Sequence, residues 1–212
     1  GFDAGQYVKL ADRAIEDIST RGKVPFVAGG TGLYVRALLH GLFRSDTIDA
    51  GTLSQLTRQL ENRGADYLYE QLVQCDPQAA ERIHPNDAFR VIRALELYMT
   101  TGTRISDRQN EHRFSSERYH CLKIGLKMDR ELLYTRINRR VDVMIETGLL
   151  KEVETLVQMG YSLDLKSMQS IGYKQMGMYL KNEVDWNEAV RLLKRDTRRY
   201  AKRQLTWFRK NT

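Results

Sequence analysis

At 212 residues, 42% of them hydrophobic and 29% charged, the chain is long enough to bury a core and too apolar to stay disordered. A formal charge of +7 favours an anionic partner, and two cysteines far apart, Cys75 and Cys121, signal neither a disulfide framework nor a thiolate zinc site. With no run of about 18 apolar residues and no charged-then-apolar leader, neither a membrane span nor a signal peptide is expected, and the reading is a cytoplasmic protein. An opening Gly1-Phe2-Asp3-Ala4 without methionine reads as the middle of a longer polypeptide.

From Tyr7 to Thr20 the apolar positions Val8, Ala11, Ile15 and Ile18 repeat at helical spacing with charges opposite, and Arg21-Gly22 stops the pattern. Val24-Pro25-Phe26-Val27-Ala28 suits a buried parallel strand; Gly29-Gly30-Thr31-Gly32 then turns the chain into a helix through Leu33, Val35, Ala37 and Leu38. Helix, strand, glycine turn, helix is the grammar of an α/β layer. Residues 46–114 read as helical throughout, with Leu53, Leu56 and Leu60 and then Leu68 and Leu72 as apolar positions. A second strand is expected at residues 120–126. Asp129 is placed to cap a helix that Gly148 ends, and another helix from Leu149 is ended by Gly160. The chain thus divides at sequence level into a core part over 1–45, a helical insertion over 46–114, and a second core part over 115–212.

The last helical segment, from Trp186 to Thr212, holds nine basic residues against two acidic ones, an excess equal to the charge of the whole chain. Arg191, Arg195, Arg198 and Lys202 make one stripe along it; Leu193, Thr197, Tyr200, Gln204 and Phe208 make another. The first stripe is expected to meet phosphate, nucleic acid above all, and the second to pack, with Trp207 and Phe208 in the core.

Four further constellations admit two readings each. The glycines of residues 29–32 serve either an anion or substrate edge close to the main chain, or simply the backbone angles of a tight turn. Arg90 and Arg93, behind a cap at Asn86 or Asp87, either hold two phosphates as a pair or leave Arg93 to Glu96 three residues on. Arg136, Arg139 and Arg140 repel one another unless an anion such as pyrophosphate, or the carboxylates of Glu131, Asp142 and Glu146, offsets them. Residues 167–173 form a small polar loop in which Gln169 hydrogen-bonds and Tyr173 stacks. None of His40, His84, His112 and His120 pairs at metal-ligand spacing, no Ser/His/Asp set appears, and GxxxxGK[ST] occurs nowhere in these residues.

Taken in order, Val27-Ala28-Gly29-Gly30-Thr31-Gly32-Leu33-Tyr34, Asp76-Pro77 through Asn86-Asp87, Arg90-Val91-Ile92-Arg93-Ala94-Leu95-Glu96, Ser170-Ile171-Gly172-Tyr173-Lys174-Gln175 and the run from Tyr200 to Arg209 resemble the tRNA dimethylallyltransferases over nearly the whole chain. The resemblance implies an α/β fold: a P-loop NTPase-like parallel-sheet core, incomplete in these residues, with an all-helical insertion gripping the anticodon stem, predominantly helical overall. It implies transfer of the dimethylallyl group of dimethylallyl diphosphate to N6 of the adenosine next to the anticodon, with release of pyrophosphate and assistance from Mg²⁺. On the same ground Thr31 and Arg140 are the catalytic candidates, Thr31 where adenine and prenyl donor meet. Arg136 and Arg140 are the diphosphate candidates, and Gly30, Thr31, Phe89, Arg90, Arg93, Gln169, Gly172, Tyr173, Lys202, Arg203, Gln204 and Trp207 those for tRNA.

Two departures from the family pattern stand out. The P-loop, and the aspartate after it proposed as the base, are not among these residues, so no catalytic base or metal ligand is assigned and the chain alone is expected to be inactive. Where the family often starts its insertion with an RNA-reaching arginine, this chain reads Thr52-Leu53-Ser54-Gln55, with Arg58 the first basic residue. The expected protein is a monomer that binds a tRNA anticodon stem-loop. Its rivals are an adenylate-type isopentenyltransferase acting on free nucleotide and a non-catalytic RNA-binding module.

Overall fold

A computed structural model describes residues 2–42, 49–112 and 117–210, which cluster into two compact units. The boundaries expected at 45/46 and 114/115, and the far end of the last helical segment at Thr212, lie outside the described residues. Among the described residues every regular element is helical, and no helix is long and apolar enough to cross a membrane.

The first unit comprises residues up to 29 and from 33 to 120. It opens with α1 (Ala4–Thr20), capped by Asp3, whose carboxylate accepts from the Gln6 N–H at 2.8 Å. Val8, Ala11, Ile15 and Ile18 all stay half-buried and the helix has no fully buried residue. Tyr7 stacks on Tyr34 of α2 (Gly32–His40), with ring centroids 4.6 Å apart. Arg118 ties this end together: it donates to the Leu38 carbonyl at 3.0 Å and pairs with Asp12 at 2.7 Å.

The core of the unit lies in the helical block. The helix α3 (Ala50–Cys75) is broken at Gly64, whose φ of 82° suits glycine. Gln59 and Gln71 touch at 3.5 Å across the break; in a continuous helix twelve residues span about 18 Å, so α3 folds back on itself. Leu56, Leu68 and Leu72 then pack with Ala79 and Ala80 of α4 (Pro77–Ala80), Val91, Ala94, Leu95 and Leu97 of α5 (Ala88–Thr101), and Ile105 of α6 (Ile105–His112). Asp76 is 1% exposed, and its two carboxylate oxygens accept from the N–H groups of Ala79 and Ser106, each at 3.0 Å. A buried carboxylate is tolerated when it is bonded in this way.

The second unit comprises Gly30–Gly32 and Cys121–Thr212. Asp129 caps α7 (Arg130–Glu146) through the Glu131 and Leu132 N–H groups at 2.8 and 3.1 Å, as its position in the sequence predicts. Gly148, at φ 102°, turns the chain into α8 (Leu149–Gln158), and Gly160, at φ 88°, follows its end. A single 3₁₀ turn over Lys166–Gln169 precedes Gly172, at φ 106°, and α9 (Tyr173–Leu180). The last helix is α10 (Trp186–Lys210). Val141, Leu149, Val153, Met168, Met176, Ala189 and Leu193 form the core of this unit.

The two strands expected at residues 24–28 and 120–126 do not form among the described residues. A strand exists only when a neighbour pairs its N–H and C=O groups, and neither segment has one. Their apolar side chains stand in solvent: Val24, Phe26, Leu122, Ile124 and Leu126 are all exposed.

Candidate nucleic-acid interface and glycine turn

The two halves of α10 differ in their use of charge. In the first half Glu188 grips Arg191 through both oxygens at 2.6 Å, and Asp142 of α7 takes Lys194 at 2.5 Å. Asp196 takes Arg195 at 2.8 Å and lies 3.8 Å from Arg199. The carboxyl groups of Glu188 and Asp196 are held below their usual range chiefly by the hydrogen bonds from Arg191 and Arg195 respectively. Arg191 and Arg195, expected in the phosphate-facing stripe, are therefore already balanced by carboxylates.

Beyond Asp196 no acidic residue remains on α10. Arg198 donates to the neutral Asn138 Oδ1 of α7 at 2.6 Å, while Lys202, Arg203, Arg209 and Lys210 are exposed and have no carboxylate partner among the described residues. The Arg203 guanidinium lies over the Tyr200 ring, 5.7 Å from its centroid. Packing is also one-sided: the buried residues of α10 are Ala189, Leu192 and Leu193, all in the first half. Tyr200, expected on the packing stripe, is 40% exposed. Trp207 and Phe208, expected in the core, are half-buried and meet edge to face at 4.8 Å, because the helix has left the core of its unit by then.

The second half of α10 seats on the glycine turn. Gln204 Nε2 donates to the Gly30 carbonyl at 2.8 Å, and a Cβ at Gly30 would overlap that amide. A Cβ at Gly32 would overlap the Trp207 indole. Gly29, Gly30 and Gly32 are absent from the positive-φ glycines of the chain. The backbone-angle reading of the turn is therefore displaced: Gly30 and Gly32 lack positive φ and are small because α10 side chains lie against them. Thr31 sits between these two contacts, exposed, with its hydroxyl unpartnered among the described residues.

The loop before α9 is strapped to the same helix. Gln175 is 2% exposed; its carbonyl oxygen accepts from the Gly172 N–H and its amide donates to Asp196 Oδ2, each at 2.9 Å. Of the loop's expected RNA contacts, Gly172 is buried and serves as the N-cap position of α9. Tyr173 is bonded through its hydroxyl to Glu152, which raises its pKa above the usual tyrosine range. Gln169 is exposed and donates to the Leu163 carbonyl at 2.9 Å. Met168, within the loop expected to be polar, is a core residue.

The arginine clusters resolve differently. Arg93 gives Nη1 to Glu96 at 2.6 Å, and Arg90 lies 3.4 Å from Asp87, whose other oxygen caps α5 through the Arg90 N–H. The reading of Arg93 as partner of Glu96 thus holds, and Asp87 rather than Asn86 is the cap. Phe89, at 72% exposure, stands out beside Arg90. On α7 the residues bonded to α10 are Asn138 and Asp142. At 3.6 residues per turn Arg136 and Arg140 fall on the opposite side of that helix. Both are exposed and have no carboxylate partner among the described residues, so the solvated pairing with Glu131, Asp142 and Glu146 does not form. Among the described residues no hydrogen bond or ion pair joins either of them to the glycine turn.

Sequence reasoning missed three residues that organise the site: Gln175, Asp196 and Asn138. Gln175 had a usable signal, an amide three residues after a helix-starting glycine. Asn138 had none, because its partner is sixty residues away.

A helix half stripped of counter-charges, edged with aromatic rings and seated on a glycine turn suits a protein that handles nucleic acid. The chain matches the IPP transferase family over residues 1–211. It is 52% identical over 210 residues to tRNA dimethylallyltransferase 2 of Geotalea uraniireducens, covering 99% of this chain and 68% of that one. Among solved structures it is similar to the tRNA isopentenylpyrophosphate transferase of Staphylococcus epidermidis, at 43% identity and TM-score 0.61, covering 98% of this chain and 67% of that one. A eukaryotic dimethylallyltransferase acting on tRNA matches at 32% identity and TM-score 0.77, with 97% of this chain and 52% of that one covered. The chain belongs to the IPP transferase family, that is, to the tRNA dimethylallyltransferases, and spans about two thirds of the length of its bacterial relatives.

Proposed function

We propose that the protein transfers a dimethylallyl group from dimethylallyl diphosphate to N6 of the adenosine next to the anticodon of tRNA, releasing pyrophosphate. The observation that carries this is the seating of the second half of α10, which holds no acidic residue, on the turn that presents Thr31. An adenine amine inside a stacked loop is out of reach, so the base must be extruded while the phosphates around it are held. Lys202, Arg203 and Trp207, with Gly30, Thr31, Gln169 and Tyr173, serve that grip from one unit. Phe89, Arg90 and Arg93 serve it from the insertion, whose limits are 46 and 114.

Thr31 lies where adenine and prenyl donor meet. Arg136 and Arg140 take the diphosphate, whose negative charge grows as the C–O bond breaks. Residues 24–28 and 120–126 enter the parallel sheet of a P-loop-like core when neighbouring strands are present. Mg²⁺ accompanies the diphosphate; among the described residues no group of three His, Cys, Asp or Glu is placed to hold it. The protein acts as a cytoplasmic monomer, and the 212 residues alone, without GxxxxGK[ST], do not turn over.

The test uses the full-length enzyme with dimethylallyl diphosphate, Mg²⁺ and either a tRNA anticodon stem-loop or AMP. Label is expected in the stem-loop adenosine, with binding that weakens steeply as salt rises. Faster transfer to AMP would establish the free-nucleotide rival, and tight binding with no transfer the RNA-binding module.

A further inference from the structure

We infer that Gln204 is a positioning residue for Thr31, acting through the Gly30 peptide rather than through a contact of its own with RNA. The inference rests on the role proposed for Thr31. The Gly30 carbonyl and the Thr31 N–H belong to one planar trans peptide and point in opposite directions. Among the described residues no peptide bond is cis. By donating to that carbonyl at 2.8 Å, Gln204 fixes the tilt of the plane and turns the Thr31 N–H away from α10. Three residues on, on the same face of the helix, Trp207 lies flush against Gly32. Thr31 is thereby bracketed by two contacts from one helix, while its own side chain stays exposed and unengaged. The Gln204 amide is half-buried and already committed to the turn, whereas Lys202 and Arg203 are exposed and have no carboxylate partner among the described residues. The helix that binds phosphate and the turn that faces the reacting centre are consequently one mechanical piece.

The test compares Gln204→Glu, Gln204→Met and Thr31→Ala in the full-length enzyme, with thermal midpoints measured alongside. Glutamate keeps the shape of the side chain but places an acceptor against the Gly30 carbonyl; methionine keeps its length and removes the donor without adding charge. Both are expected to lower kcat by about tenfold or more, the scale set by small misplacements of reacting groups, with KM for the stem-loop within about twofold. Only the Glu variant should regain activity as pH falls, because its protonated form can donate again. If the Glu variant does not fold, the Met variant carries the test. Unchanged kcat, or a raised KM for the stem-loop at constant kcat, overturns the inference. If Thr31→Ala turns over like the parent enzyme, the role of Thr31 fails first and takes the inference with it; a slow Thr31→Ala beside normal Gln204 variants sinks the inference alone.

Discussion

Residues 186–196 and 197–210 of α10 form one unbroken helix with two physical characters. The first stretch buries Ala189, Leu192 and Leu193 and gives each of its three cations a carboxylate. The second buries nothing fully and holds five cations with no close carboxylate, Arg199 alone lying near Asp196. Basic residues in a row therefore do not define an interface. What sets the second half apart is where the counter-charges stop, because an arginine beside a carboxylate offers phosphate less net attraction than one without. The two arginine clusters show the same contrast: Arg90 and Arg93 sit beside Asp87 and Glu96, while Arg136 and Arg140 have no carboxylate partner among the described residues.

The comparison is broken most severely by Gly32→Ala. The added methyl overlaps the Trp207 ring, so either the turn or the second half of α10 must move, and prenyl transfer should fall by about a hundredfold with little change in thermal midpoint. Near-normal turnover would show that the seating is dispensable. Next in size is a paired experiment in RNA binding. Lys202→Ala with Arg203→Ala should lower stem-loop affinity and flatten the salt dependence by about 1.5 in log–log slope, whereas Arg191→Ala with Lys194→Ala should leave the slope unchanged. Equal slopes for the two double variants would erase the distinction between the halves.

The smallest expected effect concerns Asp196. Its carboxyl is depressed in the fold, so its contribution to stability is present above the unfolded value of about 3.9 and fades as pH falls through the lower folded value. Because the side chain is 24% exposed, that contribution is below about 1 kcal/mol. Asp196→Asn should lower the thermal midpoint at neutral pH by about 2 °C and narrow the gap between neutral and acidic midpoints. A variant with the parent's pH dependence would remove Asp196 from the account.

Helices were legible in the sequence because their signals are local: the caps at Asp87 and Asp129, the stops at Gly148 and Gly160, and the 3.6-residue period of α1 and α10 all lie within a few residues. The break at Gly64 was not legible, since a lone glycine within a helical pattern is usually tolerated. Residues 24–28 and 120–126 were read as strands from apolar content, and that content says nothing of whether a partner strand is at hand. At the site, the cationic helix and the glycine turn were visible as separate motifs. Their union through Gln204 and Trp207 spans 174 residues, a separation at which sequence carries no geometric information.

Asp76 has a consequence of its own. One carboxylate, closing α3, starts α4 with one oxygen and receives the Ser106 amide of α6 with the other. A four-residue helix such as α4 does not persist in isolation; here it is held as a rivet holds overlapping plates. Asp76 and Ser106, thirty positions apart, are pinned together by a single side chain, so the first unit is expected to assemble all at once rather than helix by helix.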